Sequence, residues 1–159
     1  MQIRQATPHD HPALLELWLR SVQATHTFLT NKDIERLYPL VRDHALPALE
    51  LWVLTADSGE FMGFMGLDGN KLEAIFLDPP FFRLGAGKHL LKHAEQLKGY
   101  LTVDVNEQNP EAIQFYLANG FRITGRSPLD GQGNPFPLIH LSQHPDDGQE
   151  DDIARKFIW

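Results

Sequence analysis

The sequence predicts an α+β / α/β mixed sheet, in which an antiparallel meander is followed by a βαβ crossover and helices cover both faces. Two observations favour this fold class. Three β-type segments lie close together in the middle of the chain and are separated by tight turns that contain glycine. A strand, a long amphipathic segment and a further strand then follow, which is typical of a crossover. A pure doubly wound fold would not begin with a meander.

The first half of the chain alternates between helical and strand periodicity. Thr7, Pro8 and Asp10 indicate a helix start, with a capping residue, a proline at the first position and an acid in the first turn. The predicted elements are a strand at residues 3–6, a helix from this start to residue 25, a helix at 31–45, and strands at 51–55, 61–67 and 72–77. Pro47 is expected to prevent the second helix from continuing beyond residue 45.

The second half repeats a helix–strand order. Asn109 followed by Pro110 indicates the start of one helix, and Asn119-Gly120 its end. The predicted elements are helices at 85–98 and 110–118 and strands at 100–105, 121–125 and 138–141. One helix face is predicted to bury Leu90, Leu91, Ala94 and Leu97, and one strand to turn Leu101, Val103 and Val105 inward.

Length and composition limit the class of protein. The chain has 159 residues, 42% of them hydrophobic and 22% charged, which is ordinary for one globular domain. It contains no cysteine, so disulfides, thiolate metal sites and a cysteine nucleophile are excluded. The N-terminus does not read as a signal peptide and no stretch is apolar enough for a membrane span, so we expect a cytoplasmic protein without a membrane partner.

Charge argues against a nucleic-acid partner, because the formal net charge is -7 and a phosphate-binding surface is basic. Part of this charge is local. The last residues carry five acids, Asp146, Asp147, Glu150, Asp151 and Asp152, against Arg155 and Lys156. We therefore predict one domain at residues 1–143 and a mobile acidic tail at 144–159.

A glycine-containing turn in FLDPPFFRLGAGKHLLKHA, residues 76–94, leads from a predicted strand into a predicted helix. The first turn of a helix offers unpaired N–H groups and a partial positive charge. Gly85 and Gly87 keep side chains away from that backbone. The turn therefore predicts an anion-binding site.

Two common phosphate motifs fit this turn poorly. A P-loop needs glycine where Phe82 stands and serine or threonine where His89 stands. A dinucleotide fingerprint needs a third glycine where Leu90 stands. Asp104, at the end of the next strand, does match the acidic residue that binds the ribose in that motif.

A second block, VNEQNPEAIQFYLANGF at residues 105–121, completes a recognisable pair of motifs. Asn109, Ala112 and Tyr116 share one face of the predicted helix. The order strand, G-x-G turn, helix, strand, N-x-x-A-x-x-x-Y helix and Gly-Phe resembles the GNAT superfamily of N-acetyltransferases, over residues 3–141. The SVQATHTF and SPLDGQGNPFPLIHL segments indicate one bacterial subgroup of that family.

The resemblance implies acetyl-CoA as the acetyl donor. Its diphosphate would bind the backbone N–H groups of Leu84, Gly85, Ala86, Gly87 and Lys88. A backbone N–H at Phe76 or Leu77 would polarise the thioester carbonyl, and Asn109 would contact the pantetheine arm while capping its helix. Phe82 departs from the Gln or Arg that is usual in the family, and Arg83 or Lys88 would compensate for it.

The resemblance also implies proton transfers. Tyr116 matches the general acid that protonates the CoA thiolate, since a phenol keeps its proton at neutral pH. Glu73 on a strand and His26 after the first helix are candidates for the base that deprotonates the amine, and a water relay is the third alternative. Trp18, Phe28, Trp52 and the loop at residues 130–135 are candidates for the walls of the acceptor pocket, although aromatic residues in apolar stretches are more often part of the core. The histidines lack metal-ligand spacing, so no metal is predicted.

The predicted function is transfer of the acetyl group of acetyl-CoA to an amine, by direct attack in a ternary complex. One alternative is an acyl-CoA-binding regulatory module that lacks catalysis. Another is an acetylating toxin that acts on aminoacyl-tRNA, which the acidic charge disfavours. The acceptor and the oligomeric state stay open, and a homodimer is one arrangement considered.

Overall fold

The structure is a computed structural model that describes residues 1–145. The predicted acidic tail lies outside the described residues except for His144 and Pro145. The chain divides into two compact units, Met1–Gly99 and Tyr100–Trp159. The boundary predicted at residue 143 stays a prediction. No helix within the described range is both long and apolar enough to span a bilayer.

The first unit is an antiparallel meander with helices. Its elements are β1 (Gln2–Gln5), α1 (His11–Thr25), α2 (Asn31–Leu40), α3 (Leu46–Ala48), β2 (Glu50–Thr55), β3 (Phe61–Asp68), β4 (Lys71–Leu77) and α4 (Ala86–Lys98). The strands pair antiparallel in the order β1-β2-β3-β4. Gly59 and Gly69 occupy the two tight turns with left-handed φ angles of 89° and 61°. The predicted meander is confirmed.

Two helix boundaries differ from the prediction. A short 3₁₀ turn, Pro8–Asp10, precedes α1, and the Asp10 carboxylate accepts the Thr7 N–H at 2.8 Å. The second predicted helix does not end at residue 45: a π-helical turn, Val41–Ala45, continues into α3. Pro47 comes two residues after this π-helical turn and does not end the helical run, which continues to Ala48.

Burial decides two predictions about apolar side chains. Trp18 is completely buried, so of its two interpretations, core residue and pocket wall, the core interpretation is correct. Leu97 is 43% exposed, whereas Leu90, Leu91 and Ala94 are buried as predicted. Helical spacing specifies which face is apolar, but it does not specify how far along the helix that face is covered.

The described part of the second unit, residues 100–145, holds three antiparallel strands and one helix. Its elements are β5 (Thr102–Asn106), α5 (Pro110–Ala118), β6 (Arg122–Ser127) and β7 (Leu138–Ser142). β7 pairs with both β5 and β6. Val103 and Val105 are buried as predicted, but Asp104 and Asn106 on the opposite face of β5 are buried as well. Both faces of β5 are therefore covered, which simple alternation did not indicate.

Candidate active site

The loop before α4 has the backbone of an anion site. Gly85 is the N-cap of α4, with a left-handed φ of 81°, and no side chain in residues 1–145 caps this helix. The first helical bond runs from the His89 N–H to the Gly85 carbonyl. The N–H groups of the preceding turn thus lack an acceptor within the helix. A Cβ on Gly85 would meet no described atom within 4 Å, so its φ angle, and not crowding, requires glycine.

The backbone of the same loop is strained at Arg83, and an ion pair fixes the residue at which the loop starts. Arg83 has a φ of 63°, the one positive value among the described non-glycine residues, at a cost of about 1–2 kcal/mol. Arg20 of α1 holds Asp78 through two hydrogen bonds of 2.8 and 3.0 Å. Asp78 directly follows β4, so this ion pair fixes the point where the loop leaves the sheet. Sequence reasoning missed it because 58 residues separate the partners.

A cationic cleft of about 390 Å³ continues from the loop along α4. Its lining consists of Gly85 and residues of α4 that follow it, together with one residue of β1: Lys88, His89, Lys92, His93, Gln96 and Ile3. Neither acid nor side-chain cap occupies the described first turn of α4, although helix N-termini favour acids. The charge of this helix face therefore suits an anionic ligand. The spacing of these residues in the sequence, at every third or fourth position, could have revealed it.

The end of β4 lies unusually close to β3. A Cβ on Gly63 would lie 2.7 Å from both the Phe76 carbonyl oxygen and Leu77 Cδ2, so only glycine fits. The Phe76 ring is buried and packs on the Phe64 ring with centroids 5.5 Å apart. The backbone of the predicted carbonyl-polarising residues is thus held rigidly against its neighbour strand.

Glu73 occupies a β-bulge. In the register of β3 and β4, Ala74 opposes Gly66 and Leu72 opposes Leu67, so Glu73 is the extra residue between two paired ones. Bulges re-aim side chains and are frequent beside active sites. Glu73 is only 8% exposed, so it is not a surface carboxylate surrounded by water.

His26 is a buried histidine at the end of α1. It is 5% exposed, and its ring contacts the rings of Phe28 and Phe76 at centroid distances of 5.4 and 6.5 Å. Burial lowers the pKa of the imidazole to about 4, so the ring is neutral at pH 7. Phe28 is half-buried beside it, which is compatible with the predicted pocket wall.

Hydrogen bonds determine the tautomer of His26. The Thr25 hydroxyl donates its only hydrogen to the Ser21 carbonyl at 2.8 Å and lies 2.8 Å from His26 Nδ1. The hydroxyl can therefore only accept from the ring, and Nδ1 carries the proton. Nε2 is left with a lone pair, and it is buried without a hydrogen-bond partner in the part of the chain described.

In the second unit, α5 carries Asn109 and Tyr116. Asn109 caps the helix, since its Oδ1 accepts the Ala112 N–H at 3.3 Å, which confirms the predicted cap. Tyr116 is 6% exposed and packs edge-on between Phe115 and Phe121, with centroids 5.1 Å away on either side. Burial raises the pKa of the phenol.

The remaining wall candidates have local roles. The half-buried Trp52 donates from Nε1 to the Glu50 carboxylate at 2.8 Å. In the loop at 130–135, the Asp130 carboxylate accepts the Gln132 and Asn134 N–H groups at 2.9 and 2.8 Å. Within residues 1–145, no three His, Cys, Asp or Glu side chains are grouped as a metal site requires.

Known proteins resemble this chain over most of its length. Residues 47–123 match the family described as acetyltransferase (GNAT) domain. The chain is 44% identical over 141 residues to the peptidyl-lysine N-acetyltransferase YjaB of Salmonella typhimurium, which covers 89% of this chain and 97% of that protein. Identity to the peptidyl-lysine N-acetyltransferase YiaC of Escherichia coli is 38%, over 76% of this chain and 83% of YiaC.

Solved structures give the same result. The solution structure of apo YjaB from Escherichia coli matches with a TM-score of 0.82 and 40% identity, covering 89% of this chain and 96% of that chain. The PaiA N-acetyltransferase of Thermoplasma acidophilum, solved with coenzyme A, shares the fold at a TM-score of 0.70 and 22% identity, over 87% and 96% of the two chains. The predicted fold class and bacterial subgroup are confirmed.

Proposed function

The chain belongs to the GNAT family of acetyl-CoA-dependent N-acetyltransferases, and we propose that it acetylates the side-chain amine of lysine in a protein or peptide, by direct attack in a ternary complex. The proposed acceptor is supported by the names of the relatives, which at 38–44% identity are peptidyl-lysine N-acetyltransferases. Direct attack is supported by the absence of cysteine from the full sequence, which removes the best covalent nucleophile.

The loop before α4 fits the diphosphate of acetyl-CoA. Leu84, Gly85, Ala86, Gly87 and Lys88 are proposed to hold it through backbone N–H groups, with Arg83 or Lys88 adding a charged contact. The exposed, left-handed Gly85 and the cationic cleft beside it support this assignment. When bound, acetyl-CoA supplies an activated acetyl thioester. Asn109 is proposed to contact its pantetheine arm.

A backbone N–H at Phe76 or Leu77 is proposed to polarise the thioester carbonyl. The rigid packing of this segment against Gly63 supports the role, because a donor that does not reorganise stabilises a developing oxyanion best. Holding amine and thioester together then contributes a large part of the rate.

His26 is the proposed general base. Its Nε2 carries the lone pair of a neutral ring and has no partner among the described residues, so it can accept a proton from the amine nitrogen as the C–N bond forms and that nitrogen becomes strongly acidic. Glu73 is the alternative, supported by its place in a β-bulge. A water relay is the third option.

Tyr116 is the proposed general acid. Its raised pKa keeps the phenol protonated at neutral pH, so that it can donate to the CoA thiolate as that group leaves. Together with the N-terminus of α4, where no described side chain forms a cap, the protonated Tyr116 phenol on α5 is the observation that carries the proposed chemistry.

The experiment follows thiol release from acetyl-CoA with a lysine-containing peptide as acceptor. Tyr116→Phe should lower kcat about 10²–10⁴-fold and leave the Kd for acetyl-CoA within about twofold. The matched control is Tyr100→Phe, because Tyr100 is 55% exposed and lies outside the proposed site. An unchanged kcat in Tyr116→Phe, with chemistry limiting turnover, would refute the role of the acid.

Two further variants separate the candidate bases. His26→Gln should lower kcat about 10²-fold or more while Glu73→Gln has a smaller effect, if His26 is the base. The opposite order assigns the base to Glu73, and small effects in both assign it to water.

Binding of acetyl-CoA without turnover over many amines would instead favour the regulatory module, and growth arrest on expression would favour the toxin. A cytoplasmic location, a homodimer and the absence of a nucleic-acid partner stay predictions.

A further inference from the structure

A second group of reactive side chains lies wholly in the second unit. Ser127 Oγ of β6 is 2.7 Å from His140 Nε2 of β7, and His140 Nδ1 is 2.6 Å from Asp104 Oδ1 of β5. Serine, imidazole and carboxylate therefore form one hydrogen-bonded row across three adjacent strands. None of these three residues has a part in the acetyl transfer proposed above.

The direction of the hydrogen bonds suits nucleophilic catalysis. The Asp104 carboxylate can only accept, so His140 Nδ1 carries the proton and donates it. His140 Nε2 then presents its lone pair to the Ser127 hydroxyl, which donates. This is the arrangement of nucleophile, base and orienting carboxylate that activates serine in hydrolases on several unrelated folds.

Strand register produces the row. Asp104 and His140 are directly opposite each other on β5 and β7, which brings their side chains together on one face. On the other side, His140 opposes Gly125, which has no side chain, at an irregularity in β6. The imidazole can therefore reach past Gly125 to Ser127, two residues further along β6.

The serine of this row is more exposed than the histidine and the aspartate, as a nucleophile that must reach a substrate requires. His140 and Asp104 are 3% and 8% exposed, so the base and its orienting group are shielded from water. Ser127 is only half-buried, at the end of its strand. A small acyl compound can thus reach the hydroxyl but not the two groups behind it.

We propose that Ser127, activated by His140 and Asp104, is a second catalytic site that hydrolyses small activated acyl esters and thioesters through an acyl-serine intermediate. Ser127 Oγ forms a bond to the acyl carbon while its proton passes to His140 Nε2. The bond to the alkoxide or thiolate breaks, and that leaving group takes the proton from His140. Water then attacks the acyl-serine in the same way, which releases the carboxylic acid and restores Ser127.

The test uses p-nitrophenyl acetate and the full chain, without coenzyme A. The wild type should release a burst of about one p-nitrophenolate per chain, and mass spectrometry should find an acetyl group on the peptide that contains Ser127. Ser127→Ala should lose the burst and the label, and Asp104→Asn should slow hydrolysis about 10²-fold or more. Ser58→Ala, at an exposed serine in a turn, is the control and should behave as the wild type.

Ser127→Ala is a small change at a half-buried site, and circular dichroism should show it folded. Its transfer of acetyl from acetyl-CoA to a lysine peptide should equal that of the wild type, which keeps this inference separable from the proposed function. Burst and label that persist in Ser127→Ala would overturn the second site. If Ser127→Ala lost peptide acetylation to the same extent as ester hydrolysis, the second site would not be independent of the acetyl-transfer site.

Discussion

Two loops of this protein present backbone N–H groups in similar ways but supply the negative charge differently. In the loop at residues 130–135, the chain provides its own anion: the buried Asp130 carboxylate accepts the N–H groups of Gln132 and Asn134. In the loop before α4, no described acid or side-chain cap fills the first turn, and lysine and histidine follow instead. The first loop supplies an acceptor for its own N–H groups, whereas the N–H groups of the second loop are available to an anionic ligand.

Two buried histidines repeat this contrast. His140 has a partner at each ring nitrogen, Asp104 at Nδ1 and Ser127 at Nε2. His26 is buried to a similar extent, but its Nε2 has no partner within residues 1–145. An unpaired buried acceptor costs about 1–3 kcal/mol. Burial alone therefore does not separate a structural histidine from a reactive one; the partners of its two nitrogens do.

The largest effect is expected in the pH dependence of stability at His26. Its folded-state pKa of about 4 lies below the ordinary 6.5, so the unfolded chain binds a proton that the folded chain does not. Stability should thus be complete above about pH 6.5 and fall towards pH 4, by an amount on the order of 3 kcal/mol. Urea unfolding at several pH values should show a shallower slope in His26→Gln than in the wild type.

The exposed His9 provides the control for that measurement, since His9→Gln should keep the wild-type slope. Identical slopes in His26→Gln and the wild type would mean that His26 is accessible to solvent protons. The contrast with His140 would then lose its basis.

The next effect is expected when the internal anion is removed. Asp130→Ala should lower the free energy of unfolding by about 2 kcal/mol, because the Gln132 and Asn134 N–H groups lose a charged acceptor. Asp57→Ala is the matched control: Asp57 pairs with the N-terminal amine but its side chain is 94% exposed, so little loss is expected. Equal losses in chemical denaturation would show that the loop does not depend on its carboxylate.

A smaller effect is expected from Gly85→Ala in the open loop. A side chain at a left-handed φ costs about 1 kcal/mol, and the loop should relax in a way that turns N–H groups away from the ligand. Isothermal titration should show a Kd for acetyl-CoA raised about tenfold, equivalent to about 1.4 kcal/mol.

Gly59→Ala is a close control for this variant, since Gly59 has a φ of 89° and equally open space around it. It should lose similar stability without any change in the Kd for acetyl-CoA. If both variants bind acetyl-CoA as the wild type does, the loop before α4 is not the site of the diphosphate.

The smallest effect is expected from charge in the cleft. Lys92→Ala should raise the Kd for acetyl-CoA two- to fivefold, about 0.3–1 kcal/mol, and the difference should shrink in high salt. Lys32→Ala, at an exposed residue of α2, should leave the Kd unchanged. A salt-independent effect at Lys92 would indicate a role in packing and not in charge.

Much of this architecture could be predicted from local patterns. The meander followed from β-type runs and glycine turns, α5 from the Asn109-Pro110 start and its glycine end, and α4 from its apolar spacing. Each of these signals acts between residues a few positions apart. Burial was predicted less well: the sequence left Trp18 open between core and pocket wall and did not show that Leu97 is exposed, because one side chain's exposure depends on elements distant in the chain.

Local patterns in the sequence were enough to specify which segments form helices and strands, where the open N–H groups of α4 lie, and which family motif surrounds Asn109 and Tyr116. Packing of distant segments specified three further features: the bulge at Glu73, the burial of His26 Nε2 and the pairing of Asp104 with His140. Capping and periodicity act over three or four residues, so composition and spacing contain them. Desolvation and strand register arise from partners far apart in the chain, and they exist only once those strands are packed.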